Sequence, residues 1–183
     1  MRQQVGNITV IVGRMEDIIP YADDSDRAAA MKGRADNRRR EILAGRAIVR
    51  HALGIGLQHD QYGAPTVPLA GTCISLSHAR DLIALAVSDT PVGIDIEFPR
   101  RQLLRVATKF LTANELPRYV TLPRLLEAWT AKEAVFKAAG HPDMTISEVE
   151  MTDDTTATAR GRRYDITFLP HGDATVAVAT PQG

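Results

Sequence analysis

Hydrophobic and polar positions alternate along this chain in two different rhythms. Val5–Val12 is apolar and rich in β-branched residues, which predicts a first strand. Pro20–Asp26 is polar, and Asp23 or Asp24 can cap a short helix. From Asp36 to Leu53 the period changes to that of a helix, with Ile42, Val49 and Leu53 as its apolar stripe and Gly54 and Gly56 at its end. His59–Pro68 carries Gly63, Pro65 and Pro68 and reads as a loop. Thr72–Ser77 and Leu82–Ser88 are β-rich runs joined by a few polar residues, the pattern of a hairpin. Pro91–Phe98 alternates strictly, so Ile94 and Ile96 share one face of a strand and Gly93, Asp95 and Glu97 the other.

The second half repeats the mixture. Thr112-Ala-Asn-Glu115 matches a capping box and predicts a helix that Pro117 keeps short. A longer helix begins near Pro123 and runs through the alanine-rich stretch Glu127–Ala139, with Leu126 and Phe136 on its buried side. Gly140 stands at its C′ position and Pro142 blocks continuation. Thr145–Met151, Tyr164–Leu169 and Ala174–Ala179 read as strands, with Asp153–Arg160 a polar loop and a turn at His171-Gly172-Asp173. The order predicts an α+β fold of two similar lobes, each a small antiparallel sheet packed on a helix. The boundary is expected near residues 98–102, giving lobes 1–100 and 101–183 in one compact unit.

Composition narrows the function classes. The 183 residues carry 22 basic and 22 acidic side chains, so bulk charge does not direct the protein to nucleic acid or membrane. The charge is unevenly spread: residues 27–50 carry a net +6. Such a cluster is usually a solvated face; its functional alternative is phosphate binding. Cys73 is the single cysteine, which excludes an intrachain disulfide and fits a reducing compartment; its apolar run suggests a core position. No stretch reads as a signal peptide or a membrane span, so a cytoplasmic protein is expected.

Two stretches carry candidate chemistry. On the longer helix Trp129, Glu133 and Lys137 fall on one stripe, since residues four apart share a face. The plain reading is a surface Glu–Lys pair. On the Pro91–Phe98 strand, Asp95 and Glu97 stand side by side, and Gly93 leaves room for a close approach to the backbone. The plain reading there is an exposed acidic face. Taken together, Asp95, Glu97 and Glu133 offer hard oxygen donors suited to Mg²⁺, with Lys137 one helical turn from Glu133.

Gly-Ile-Asp-Ile-Glu at 93–97, followed about thirty residues later by Trp-Thr-Ala-Lys-Glu-Ala-Val-Phe-Lys at 129–137, resembles the signature pair of the 4′-phosphopantetheinyl transferases, nearest to the type that activates surfactin synthetase. Tyr62-Gly63-Ala64-Pro65, Ser75-Leu76-Ser77-His78 and Phe110-Leu111-Thr112 are weaker echoes. The resemblance implies the family's pseudo-twofold pair of lobes with the active site between them. It implies transfer of the 4′-phosphopantetheine arm from coenzyme A to a serine of an apo acyl or peptidyl carrier protein, releasing 3′,5′-ADP. Implied roles are Asp95, Glu97 and Glu133 for Mg²⁺, Glu133, Lys137 and Asp95 for catalysis, and Arg38, Arg39, Arg46, Gly63, Pro65, Ser77, His78 and Lys137 for coenzyme A.

Trp129 is expected to pack near the site and Lys132 to help hold phosphate or carrier. Arg100, Arg101, Arg105 and Lys109 would line a short helix facing an acidic carrier. Where the family commonly has Tyr-Gly-Lys-Pro, this chain has Ala64, which removes one expected phosphate contact. Two lobes in one chain imply a monomer. Rival readings are a catalytically inactive relative that still binds coenzyme A or carrier, and a Mg²⁺-dependent phosphodiester hydrolase.

Overall fold

Gly6 and Asn7 turn the first apolar run back on itself. In the computed structural model, which describes residues 1–183, the expected single strand is a hairpin of β1 (Arg2–Val5) and β2 (Ile8–Arg14). Gly6 has φ +60°, a conformation that a residue without a Cβ adopts freely. The chain divides into two units, Met1–Asp89 and Thr90–Gly183.

In the first unit, α1 (Met15–Ile18) leads through a 3₁₀ turn at Ile19–Tyr21 to α2 (Asp24–Ala30). Asp23 caps α2: the Asp26 backbone N–H donates to its carboxylate at 2.9 Å, and Asp26 closes the reciprocal bond. Next comes α3 (Asp36–Leu53), ended by Gly54 at φ +71°. Its buried face is Ala44, Gly45, Ala47, Ile48 and Val49, whereas Ile42 and Leu53 are only half-buried. Small residues let α3 lie close on its neighbours, so the largest apolar side chains do not mark the contact line.

The loop expected at His59–Pro68 contains a minimal ribbon of β3 (Gln58–His59) and β4 (Pro65–Thr66). Asp60 accepts hydrogen bonds from the Tyr62 and Ala64 backbone N–H groups at 2.8 and 2.9 Å, which makes a tight turn of the intervening residues. The expected hairpin is present as β5 (Cys73–Ala79) and β6 (Leu82–Ser88). Sheet order is β1-β2-β6-β5, antiparallel throughout. Ile11, Met15, Ala44, Ile48, Ile83 and Leu85 form the core between this sheet and the helices. Cys73, at the start of β5, is partly exposed rather than a core residue.

The second unit begins with β7 (Gly93–Glu97), then α4 (Leu103–Val106) and a 3₁₀ turn at Ala107–Lys109. Thr112–Arg118 makes turns instead of the expected helix. Glu115 accepts from the Thr112 N–H at 2.6 Å, one half of a capping box, but Pro117 has no N–H to continue the ladder. The long helix α5 (Leu122–Ala139) follows, closed by Gly140 at φ +62°. Four strands complete the unit: β8 (Val149–Met151), β9 (Thr156–Ala159), β10 (Arg162–His171) and β11 (Ala174–Pro181). β9 lies where a polar loop was expected. Its Thr-Ala alternation buries Ala157 and Ala159 and is too weakly apolar to read as a strand from composition.

The sheet runs β7-β11-β10-β9-β8, again antiparallel, and α5 packs across it. The division between units falls between Asp89 and Thr90, ahead of β7, because β7 pairs with β11 from Gly93↔Ala179 to Glu97↔Thr175. Each unit thus holds an antiparallel sheet and one long helix, an α+β architecture. No helix is long and apolar enough to cross a membrane.

Candidate active site on β7 and α5

Gly93 sets the spacing on which this site depends. A Cβ at this position would lie 1.8 Å from the Ala134 carbonyl oxygen and 2.6 Å from the Ala138 nitrogen, both backbone atoms of α5. What approaches Gly93 closely is therefore the helix itself. Ala177 and Ala179 of β11, opposite Asp95 and Gly93, are small as well and also belong to the core beneath α5. Side chains on this face of β7 consequently meet the Trp129–Glu133–Lys137 stripe of α5.

Lys137 Nζ donates to Asp95 Oδ1 at 2.8 Å and to the Ile94 carbonyl at 3.0 Å. The Trp129 indole N–H donates to Glu97 Oε1 at 3.0 Å, and the Arg100 guanidinium reaches the same oxygen at 3.0 Å. Arg100 also lies 5.6 Å from the centre of the Trp129 ring, which meets Phe110 in an edge-on contact at 5.1 Å. The indole thus fixes a carboxylate, which its apolar bulk alone did not suggest. Arg100 was missed as part of this cluster; its i,i+3 spacing from Glu97 was the available signal.

The carboxylates act on one another. Burial, and then the Asp95 charge, push Glu133 above the ordinary carboxylate range, with Lys137 opposing. Burial pushes Glu97 up as well, Asp95 adds to it, and Trp129, Arg100 and Lys137 pull the other way. Burial and the neighbouring Asp95 carboxylate work against the charge of Glu97 and Glu133, which a hard divalent cation would relieve, so Asp95, Glu97 and Glu133 fit Mg²⁺ by the chemistry of the donor set. As the side chains stand, they do not form a gathered cluster of metal ligands. Glu97 is turned onto Trp129 and Arg100, and Asp95 onto Lys137.

Lys132 is in a different place from the one expected. It is fully buried and donates to the Phe110 carbonyl and Glu115 Oε2, both at 2.7 Å, and to the Val149 carbonyl. Glu115 in turn accepts from the backbone N–H groups of Thr112 and Met151, each at 2.6 Å. Lys132 therefore cannot reach a phosphate or a carrier: it ties α5 to the 110–116 turn and to β8.

In the first unit, Arg38, Arg46, Ser77 and His78 line one cleft of about 150 Å³, together with Glu41, Gly45 and Leu76. Glu41 lies 3.1 Å from Arg38 and 3.6 Å from His78 Nε2. Arg46 is held by the fully buried Asp26 at 3.0 Å, and Arg50 shares that carboxylate at 2.6 Å. Arg46 and Arg50, two of the eight basic residues of that run, are thus bound to the α2 carboxylate, while Lys32, Arg34 and Arg40 are exposed. Burial alone would raise Asp26, but Arg50 and the Asp23 N–H outweigh it and hold the carboxyl below its usual range. Arg39 is turned away, onto the Gly33 carbonyl and Asp36. Gly63 and Pro65 belong to the β3–β4 ribbon and do not line the cleft.

Comparison with known proteins adds an independent finding. Residues 91–179 match the model of the 4′-phosphopantetheinyl transferase superfamily. The chain is 29% identical over 148 residues to the 4′-phosphopantetheinyl transferase psf-1 of Bacillus pumilus, covering 69% of this chain and 61% of that protein. It is 28% identical over 160 residues to the 4′-phosphopantetheinyl transferase HetI of a Nostoc species, covering 75% and 68%. Against the 4′-phosphopantetheinyl transferase gsp of Aneurinibacillus migulanus the identity is 32% over 90 residues, covering 44% and 36%. The matched region spans about three fifths of psf-1 and two thirds of HetI.

Proposed function

We propose, from the match of residues 91–179 to the 4′-phosphopantetheinyl transferase superfamily, that the protein transfers the 4′-phosphopantetheine arm of coenzyme A to a serine of an apo acyl or peptidyl carrier protein, releasing 3′,5′-ADP. The observation that carries the reading is the juxtaposition on β7 and α5 of Asp95, Glu97 and Glu133 with Lys137.

In the proposed reaction the carrier serine Oγ attacks the phosphorus that bears the pantetheine arm. The bond from that phosphorus to the bridging oxygen breaks, and the 3′,5′-ADP portion leaves with the electron pair. Glu133 accepts the serine proton. Lys137, oriented by Asp95 and the Ile94 carbonyl, binds a phosphate oxygen or donates a proton to the leaving oxygen in this reading. Asp95, Glu97 and Glu133 would hold Mg²⁺, which when bound supplies charge neutralisation to a pyrophosphate. Arg38, Arg46, Ser77 and His78 would receive a coenzyme A phosphate in their cleft, where Arg46 is pre-set by Asp26.

The test is an intact-mass measurement on a panel of apo carrier proteins incubated with the protein, coenzyme A and Mg²⁺. A gain of one phosphopantetheine arm, abolished by Asp95→Ala and by Glu133→Ala, is expected. If no carrier gains mass while coenzyme A binds, the protein is a binding relative; if coenzyme A does not bind either, the reading is overturned.

A further inference from the structure

Glu97 Oε1 has two donors, and neither is innocent of the site. The Trp129 indole N–H and the Arg100 guanidinium each approach that one oxygen at 3.0 Å. The guanidinium also lies over the indole ring. Trp129 is in turn wedged against Phe110, which is 1% exposed. The indole is thus a fixed wall, whereas the Arg100 side chain is 44% exposed and borders solvent. Arg100 is the solvent-facing partner of Glu97.

We infer that Arg100 is a tethered counter-ion that competes with the divalent cation for Glu97, and so sets the affinity of the β7–α5 carboxylates for that cation. This rests on the proposed role of Asp95, Glu97 and Glu133 as oxygen donors. The physical reason is that a guanidinium paired with the Glu97 carboxylate offsets the negative charge that would attract a divalent cation. A positive charge beside the site also repels the incoming ion. When the cation takes Glu97, Arg100 is released toward solvent, where its guanidinium can pair with an anionic group. Arg100 acts through Glu97 and is a positioning residue.

Trp129 makes the event visible without any transfer assay. It is the only tryptophan in the chain, and its indole donates to the contested carboxylate. The experiment is a Mg²⁺ titration followed by tryptophan fluorescence, with calorimetry in parallel, on the full chain, Arg100→Gln, Arg100→Lys and Glu97→Gln. Because an ion pair this exposed is worth under about 1 kcal/mol, Arg100→Gln should bind Mg²⁺ about threefold tighter or somewhat more. Arg100→Lys should lie between Arg100→Gln and the parent, keeping the charge but losing the planar contact with Trp129 and Glu97. Glu97→Gln should lose most of the fluorescence response.

Unchanged or weaker Mg²⁺ binding in an Arg100→Gln protein that melts like the parent overturns the inference. So does the absence of any Mg²⁺ signal in the parent. Carrier modification measured on the same samples separates the two readings. Transfer with unaltered Mg²⁺ affinity in Arg100→Gln defeats this inference alone. A tightened Mg²⁺ site with no transfer defeats the proposed reaction and leaves the competition standing.

Discussion

Replacing Lys132 by methionine keeps the hydrocarbon stem and deletes a fully buried ammonium. Three acceptors lose their donor at once: Glu115 Oε2 and the carbonyls of Phe110 and Val149. The Glu115 carboxylate, 1% exposed, keeps the Thr112 and Met151 N–H groups but has no counter-charge. Breaking one side of a buried pair in this way costs about 3–5 kcal/mol. With a urea slope of about 1–2 kcal/mol/M, the unfolding midpoint of Lys132→Met should fall by at least about 1.5 M. Trp129 lies on the same helix and is the only tryptophan, so its fluorescence reports this unit. Adding Glu115→Gln should recover part of the loss, with a coupling of about 1 kcal/mol or more, because the amide no longer needs a cation. A Lys132→Met midpoint within about 0.5 M of the parent, corresponding to under about 1 kcal/mol, would refute the assignment of Lys132 as a structural tie.

Two further outcomes follow from the β7–α5 face. Gly93→Ala drives a methyl into the α5 backbone, which has no flexible atom to yield, so the cost should reach or exceed about 3 kcal/mol, the upper end for overpacking. A thermal melt like the parent's would show that the helix can withdraw without penalty. Glu133 has a folded-state pKa above its ordinary value of 4.5, so the folded state binds its proton more tightly than the unfolded chain does. Stability from this group therefore falls as pH rises from that value through the raised one, and the penalty is complete above it. In chelator, Glu133→Gln should be more stable than the parent at neutral pH, with the gap closing toward mildly acidic pH. Urea melts at several pH values check this, and a variant less stable than the parent at neutral pH contradicts it.

The elements with strong local signals were legible in the chain. α3 and α5 begin and end where helical period, Pro123, Gly54 and Gly140 put them. The β5–β6 hairpin follows from its runs of apolar residues, and β7 from its alternation. β9 escaped notice because threonine and alanine give little hydrophobic contrast, and the Thr112–Glu115 turn because half a capping box cannot start a helix against Pro117. The split of the first apolar run was signalled by Gly6-Asn7, a turn pair inside a strand-like stretch.

The sequence by itself determined which chemistry was available: Asp95 and Glu97 on one face of a strand, Trp129, Glu133 and Lys137 on one stripe of a helix. Period alone decides that, since side chains repeat every two residues in a strand and nearly every four in a helix. Tertiary structure decided what each charge does. Lys132 and Lys137 sit on one helix with similar surroundings in sequence, yet one is sealed onto Glu115 and the other reaches Asp95. Likewise Arg46 and Arg50 are held by Asp26, twenty or more residues away, while Arg38 lines a cleft. A charge's role depends on which opposite charge or carbonyl the fold brings within about 3 Å and how much water it removes, and neither is written in local spacing.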